Sequence, residues 1–506
     1  MLYTLLLIPL IGVFIISLIP GSESEYNTKI SNSNNNSIIA SNINPSINIK
    51  QITLFIILCN FIWSLWIFIK FDNNSSAYQF TCEFNEYNFL HLHLGLDGIS
   101  LYFVILTTFI IPICVISNWN NITINLKYFL ICFLILETLL LCTFLVLDII
   151  LFYVFFESVL IPLFLIVGIW GGSEIRLRAS FLLFLYTLFG SLFMLLAFLY
   201  IYYNVGSTDF QIILLNDINL DTQKILFICI FFSIAVKTPL WPFHVWLPRA
   251  HAEAPLGGSV VLAGLILKLA TYGYIRILIQ FLPDASSYFS PVVQAISVIT
   301  LIYASLSTLR QTDFKALIAY SSIGHISIVV LGLFSNTIQG LDGAILLSVG
   351  HGLVSPALFI LCGGVLYDRF HTRIIHYYRG ITIYIPIFSI LFFLFTIFNS
   401  GVPLSTNFCG ETLSLIGIFQ RSPIIAIIAS TGIVLSAAYS IWLYNRIAFG
   451  SFSKYLRIPS DINKREIFSL LPLLIISIVF GIFPNIILDQ IHTSVSILLY
   501  SLKLYK

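Results

Sequence analysis

Apolar residues occupy this chain in runs of about twenty, the length that carries an α-helix across the ~30 Å hydrocarbon core of a bilayer. Such runs lie at 2–19, 51–69, 98–118, 128–147, 149–169, 179–202, 225–246, 256–275, 291–308, 316–334, 343–366, 384–419, 424–445 and 466–488. The pattern predicts an all-α polytopic membrane protein with about fourteen transmembrane helices. The first run starts at Met1, with no Arg- and Ser-rich leader before it and no Ala-x-Ala cleavage site after it, so it reads as a first span. Residues 21–50 are rich in Asn and Ser, too polar to pack, and read as a solvated loop.

Lys and Arg test the layout, because basic residues prefer the cytoplasmic or matrix side. With these boundaries sixteen of the 24 fall in odd-numbered loops, four in even-numbered loops and two at the C-terminus. Both termini are therefore expected on the outer face. The other two, Lys237 and Lys268, lie inside spans.

Two spans carry Pro and Gly where an uninterrupted helix forbids them: FFSIAVKTPLWPFHVWLP, around Pro239 and Pro242, and LFTIFNSGVPLSTNFCGE, around Gly401 and Pro403. Each is expected to unwind. Irregular backbone at membrane depth survives only where protein or a water-filled cavity satisfies its polar groups, and paired broken helices point to a transport site built on inverted repeats. The bland alternative is that Pro and Gly are simply commoner in membrane helices. It does not explain why Lys237 stands beside the first break and Glu411 just beyond the second.

A charge at the centre of a spanning helix costs about 2.5–3.5 kcal/mol on insertion scales, so an intramembrane ionisable residue is a candidate functional group. Glu157, Lys237, Lys268 and Glu411 are the four that stand out. Two carboxylates and two amines can pair, and a Lys whose partner comes and goes can take up and release a proton. The competing reading is static ion pairs that hold helices together. Glu137 is a fifth intramembrane acid, equally readable as a hydrogen-bonded helix contact, and Asp148 falls at a short turn where it suits a helix cap.

Of nine histidines, His325 and His351 fall inside spans and suit a proton relay between Lys268 and Glu411, with a hydrogen-bonded structural role as the alternative. His244 and His251 flank an interfacial segment and could line an entrance. His91 and His93 lack a third ligand nearby, so no metal site is expected.

Composition sharpens the picture. The chain has 506 residues, 58% hydrophobic and 9% charged, which excludes a soluble globular enzyme, and a net charge of +2 gives nucleic acid no basic face. Eight scattered cysteines form no Cys-x-x-Cys pair, and no Gly-x-Gly-x-x-Gly or Walker-type loop is present, so no cofactor is expected in this chain. Abundant Ile, Phe, Tyr and Asn with two Met suit an AT-rich coding sequence, which favours an organelle-encoded product over a bacterial one.

The segments FFESVLIP (155–162), VKTPLWPFHVWLPRAHAEAP (236–255), LILKLATYGY (265–274), LRQTDFKALIAYSSIGHIS (309–327), HGLVSPALF (351–359) and NFCGE (407–411) resemble the antiporter-like membrane subunits of respiratory complex I. The resemblance is strongest over 130–450. It implies two inverted five-helix repeats, each with a broken helix, at 128–280 and 291–450. They would be preceded by N-terminal helices over 1–127 and followed by a loop and last helix over 451–506. It further implies proton translocation by Glu157, Lys237, Lys268, His325, His351 and Glu411. Glu411 separates the chain from the sister antiporter-like chains 2 and 5, which usually carry Lys at the matching place.

On this reading the chain couples NADH oxidation and quinone reduction elsewhere in complex I to proton pumping. FMN, iron–sulfur clusters and quinone would reside in other subunits. The expected partners are membrane-arm subunits, the sister chains 2 and 5 above all, with lipids around them, and the expected location is the mitochondrial inner membrane or, alternatively, a bacterial plasma membrane. The alternative function is a subunit of a multi-chain Mrp-type cation/proton antiporter; a third possibility is a membrane scaffold whose buried charges are static.

Overall fold

Side-chain caps and prolines set the helix ends in the computed structural model, which describes residues 1–19, 45–84, 92–456 and 458–504. Asp148 caps the helix that starts at Ile149, accepting from the amides of Ile150 and Leu151 at 2.9 Å. Asp313, Thr337 and Ser405 do the same for the helices that begin at Phe314, Ile338 and Thr406. Each such acceptor satisfies an amide that the helix itself leaves free.

Among the described residues, eleven helices are long and apolar enough to cross a membrane. Three more predicted spans do not form one such unbroken helix, for visible reasons. The first, Leu2–Leu18, has 17 residues. The other two are broken, one into Leu220–Lys237 and Trp246–Glu253, the other into Pro386–Asn399 and Thr406–Arg421. With these three the fourteen expected spans are all present, mostly within a few residues of their predicted ends.

The differences are local. Helix Pro45–Lys70 begins inside the stretch read as a loop, while residues 20–44 lie outside the described residues. Helix Pro283–Leu309 starts eight residues before the predicted 291, with Pro283 in its first turn, where a missing amide costs nothing. A two-stranded antiparallel hairpin, Gln79–Phe84 with Leu92–Leu96, was not foreseen. Nor was a final helix, Asn485–Leu504, which follows Lys464–Ile482 and packs on Gly98–Ser117 and Ile338–Leu358. Tyr102 fastens it by donating to the carbonyl of Ile486 at 2.6 Å.

Two helices form the buried axis. Leu256–Ile279 and Ile338–Phe370 are covered on all sides along their apolar windows, whereas most of Lys464–Ile482 and Pro45–Lys70 faces outward. Both axial helices contain π-helical stretches, at Leu262–Ile266, Tyr274–Ile279 and Phe359–Leu366. Such turns free main-chain carbonyls and recur at functional sites. Close backbone contact brings Thr406–Arg421 against the second axial helix: a methyl group at Gly410 would stand 2.6 Å from the main chain of Leu347.

Candidate functional site: a line of buried ionisable groups

The first break ends on Lys237. Its ammonium, wholly inside the protein, donates to the carbonyl of Phe156 at 2.6 Å and lies 3.2 Å from the centre of that ring. Glu157 stands 3.8 Å away, within ion-pair range but beyond hydrogen-bond distance. Trp246 Nε1 donates to the carbonyl of Val236 at 2.8 Å, so the second half of the broken span is tied to the end of the first.

Lys268 lies on the axial helix Leu256–Ile279. It donates to the carbonyl of Ala263 at 2.5 Å, five residues back, which is an acceptor the π-helical turn there leaves available. Its Nζ also lies 2.8 Å from His351 Nδ1 on the other axial helix. The rings of His351 and His325 are 5.7 Å apart, and His325 Nδ1 is 2.9 Å from Glu411 Oε1.

Four of the six candidates, Lys268, His351, His325 and Glu411, therefore form one contiguous line from the axis to the second break. All four are buried. Glu157 and Lys237 form a separate pair, and among the described residues no side-chain hydrogen bond joins Lys237 to Lys268. Their helices are joined instead by Thr238 Oγ1 and Tyr274 OH, 3.0 Å apart. Glu411 sits over the second break, where Gly401 has φ +69° and a methyl group would meet the carboxylate Oε2 at 2.5 Å.

The remaining sequence candidates sort differently. Glu137 is fully buried and accepts from Asn60 Nδ2 at 2.6 Å, a contact between helices Leu126–Leu145 and Pro45–Lys70. His93 bonds Asp209 at 2.7 Å, while its expected companion His91 lies outside the described residues. His244 packs against Tyr303, ring centres 5.0 Å apart. His251 is fully buried and stacks on Phe359 at 4.6 Å, and among the described residues neither ring nitrogen finds a hydrogen-bond partner.

Two charges assigned to loops in the sequence are buried instead. Lys315, in the first turn of Phe314–Leu333, is 5% exposed and donates to the carbonyl of Ala254 at 3.1 Å. It forms the inner wall of a cavity of about 350 Å³ on the face of the odd-numbered loops, lined also by Asn118, Tyr367, Asp368, His371 and Arg373. Ala252, the residue after His251, lines this cavity, and the ring on which His251 stacks, Phe359, belongs to the second axial helix. Arg276, counted in an even-numbered loop, lies inside helix Leu256–Ile279 and pairs with Asp97. That reassignment lowers the even-loop count from four to three. The signal was available, since GYIRILIQ is apolar on both sides of the arginine.

The sequence profile described as NADH:quinone oxidoreductase/Mrp antiporter, transmembrane, matches residues 146–436, which includes both breaks and all six candidates. A Mycosarcoma maydis protein named NADH-ubiquinone oxidoreductase chain 4 is 68% identical over 501 residues, covering 99% of this chain and all of its own. Among solved structures, a chain of respiratory complex I from Thermus thermophilus superposes with a TM-score of 0.87 at 25% identity, over 99% of this chain and 100% of that one. A chain of the Mrp complex from Dietzia sp. superposes at 0.80 with 17% identity, over 98% of both, a likeness of fold alone.

Proposed function

The chain belongs to the NADH:quinone oxidoreductase/Mrp antiporter transmembrane family, and from that premise we propose how it moves protons as an antiporter-like subunit of the complex I membrane arm. Quinone reduction elsewhere in the complex shifts charge along the arm and opens or closes the Glu157–Lys237 pair. Closure of that pair stabilises the charged lysine; opening removes the stabilisation and makes Lys237 a proton donor to its surroundings. The proton passes to Lys268, then by way of His351 and His325 to Glu411.

The contiguous line Lys268–His351–His325–Glu411 is the observation that carries this reading. Amine, imidazole, imidazole and carboxylate are all groups that bind and release protons, and each lies close enough to the next for transfer directly or through one water. A static scaffold has no use for four titratable groups in file along a dry axis, where each charge costs free energy. On the odd-loop face, the Lys315 cavity and His251 provide the inlet to Lys268.

Moving one elementary charge against 100 mV costs about 2.3 kcal/mol, so the line needs an outside reaction to drive it. That reaction, with its FMN, iron–sulfur clusters and quinone, belongs to other subunits. The two repeats fall at 128–280 and 291–450, each with one broken span and one ionisable group at the break. Chains 2 and 5 are the neighbours in the arm, and the mitochondrial inner membrane is the compartment, a placement that rests on composition.

Replacing Lys237 by Ala in the assembled complex tests the proposal. NADH oxidation and assembly should persist while coupled proton pumping, read with a pH-sensitive dye in proteoliposomes, is abolished. Pumping at the normal ratio of protons to NADH in that variant refutes the role given to the pair.

A further inference from the structure

On the face of the even-numbered loops lies a second cavity, about 300 Å³, with room for several waters. Three acids line it, Asp97, Asp217 and Asp284, together with Ser76, Tyr78 and Arg276. Arg276, 3% exposed, stands at its inner wall. It shares a helix with Lys268 and follows it by eight residues, about 12 Å along the axis.

One residue stands between them. Tyr272 is fully buried, four residues from each; its hydroxyl donates to the carbonyl of Phe144 at 3.1 Å and accepts from Arg276 Nε at 3.3 Å. The guanidinium lies 5.4 Å from the ring centres of both Tyr272 and Tyr78. It donates to Tyr78 OH at 3.3 Å and Gln280 Oε1 at 3.4 Å, and its remaining arm pairs with Asp97. Asp97 is itself held by capping helix Gly98–Ser117, accepting from the amide of Ser100 at 3.0 Å.

We propose that the Arg276–Asp97 pair is a proton seal, closing the outer-face cavity off from Lys268. This rests on the reading of Lys268 as a proton carrier. Three acids draw protons into the cavity, and a carrier lysine about 12 Å further in would let them return down the gradient that the pump builds. A guanidinium does not give up its proton in a protein, so Arg276 cannot relay one as Lys237 and Lys268 can. Its fixed positive charge, held by the Asp97 carboxylate and by hydrogen bonds to Tyr272, Tyr78 and Gln280, repels any proton that advances from the cavity, as arginine does in pores that exclude protons and cations. Asp97 keeps that charge in place and lowers the cost of burying it.

The test reads passive proton conductance of the assembled complex in proteoliposomes, without NADH, after an imposed pH step. Arg276→Gln should raise the conductance at least several-fold while NADH oxidation persists. Arg276→Lys, which keeps a positive charge but can give up its proton, should leak less than Arg276→Gln yet more than the native chain, and adding Lys268→Ala to Arg276→Gln should restore tightness. A tight Arg276→Gln variant, or a leak undiminished by Lys268→Ala, overturns the proposal. Conductance is measured without turnover, so it is independent of whether Lys237→Ala pumps, and the two claims can fail separately. If Arg276→Gln does not assemble, site-resolved labelling of Tyr272→Cys and Ser76→Cys by an impermeant thiol reagent from the outer side decides. Slow reaction at position 272 supports the seal, and labelling as fast as at position 76 overturns it.

Discussion

The two broken spans solve the same problem with opposite chemistry. At the first, a cation ends the leading half-helix: Lys237 points at a main-chain carbonyl and stands 3.8 Å from its acid, a pair with space to separate. At the second, the acid sits inside the trailing half-helix: Glu411 is bonded to His325 at 2.9 Å and lies over a left-handed glycine. The loose pair suits a switch, because a small displacement changes its energy steeply in a low-dielectric interior. The tight contact suits the end of a relay, where fixed geometry matters more than movement. Both breaks unwind the backbone; what differs is whether the charge is held or released.

That contrast can be broken experimentally. A large effect is expected at the relay end: Glu411→Gln keeps the shape and the hydrogen bond to His325 but removes the proton-binding group. Coupled pumping should fall to about a hundredth, the lower end of what a lost acid–base group costs, with NADH oxidation retained and the complex intact on a native gel. Pumping near normal in this variant makes Glu411 a structural ligand of His325 and ends the distinction between the breaks.

A smaller effect is expected at Gly401. Alanine there adds a methyl group that meets the Glu411 carboxylate and imposes a left-handed backbone on a residue with a Cβ, a strain of about 1–2 kcal/mol. Gly401→Ala should lower pumping without abolishing it and should reduce the thermal stability of the complex. Unchanged pumping shows that the carboxylate has freedom to move, which makes the second break more like the first.

Hydropathy made the scaffold legible because the bilayer imposes one length on every span. The two breaks were legible for a similarly simple reason: Pro239 with Pro242, and Gly401 with Pro403, weaken neighbouring turns together, whereas a lone proline such as Pro112 or Pro356 is carried inside a continuous helix. What periodicity could not supply was pairing. Lys268 with His351 is separated by 83 residues and His325 with Glu411 by 86, so their contacts depend on how axial helices pack. Arg276 and Lys315 were assigned to loops because each lies within a turn or two of a span's end, where boundaries from hydropathy are least sharp. The closing helix Asn485–Leu504 escaped notice because its polar face lowers its apolar content below that of a span. The hairpin is visible in retrospect in the alternation of QFTCEF.

The Glu157–Lys237 pair moves protons, on this reading, and does more than join two helices. This role is tested most directly by replacing both partners with Gln in one chain and measuring protons pumped per NADH oxidised in proteoliposomes. The double replacement removes the charges together, so it leaves no lone buried charge to unfold the protein. The expected variant assembles, oxidises NADH and does not pump. Pumping at the normal ratio would contradict this role and make the pair a static clasp.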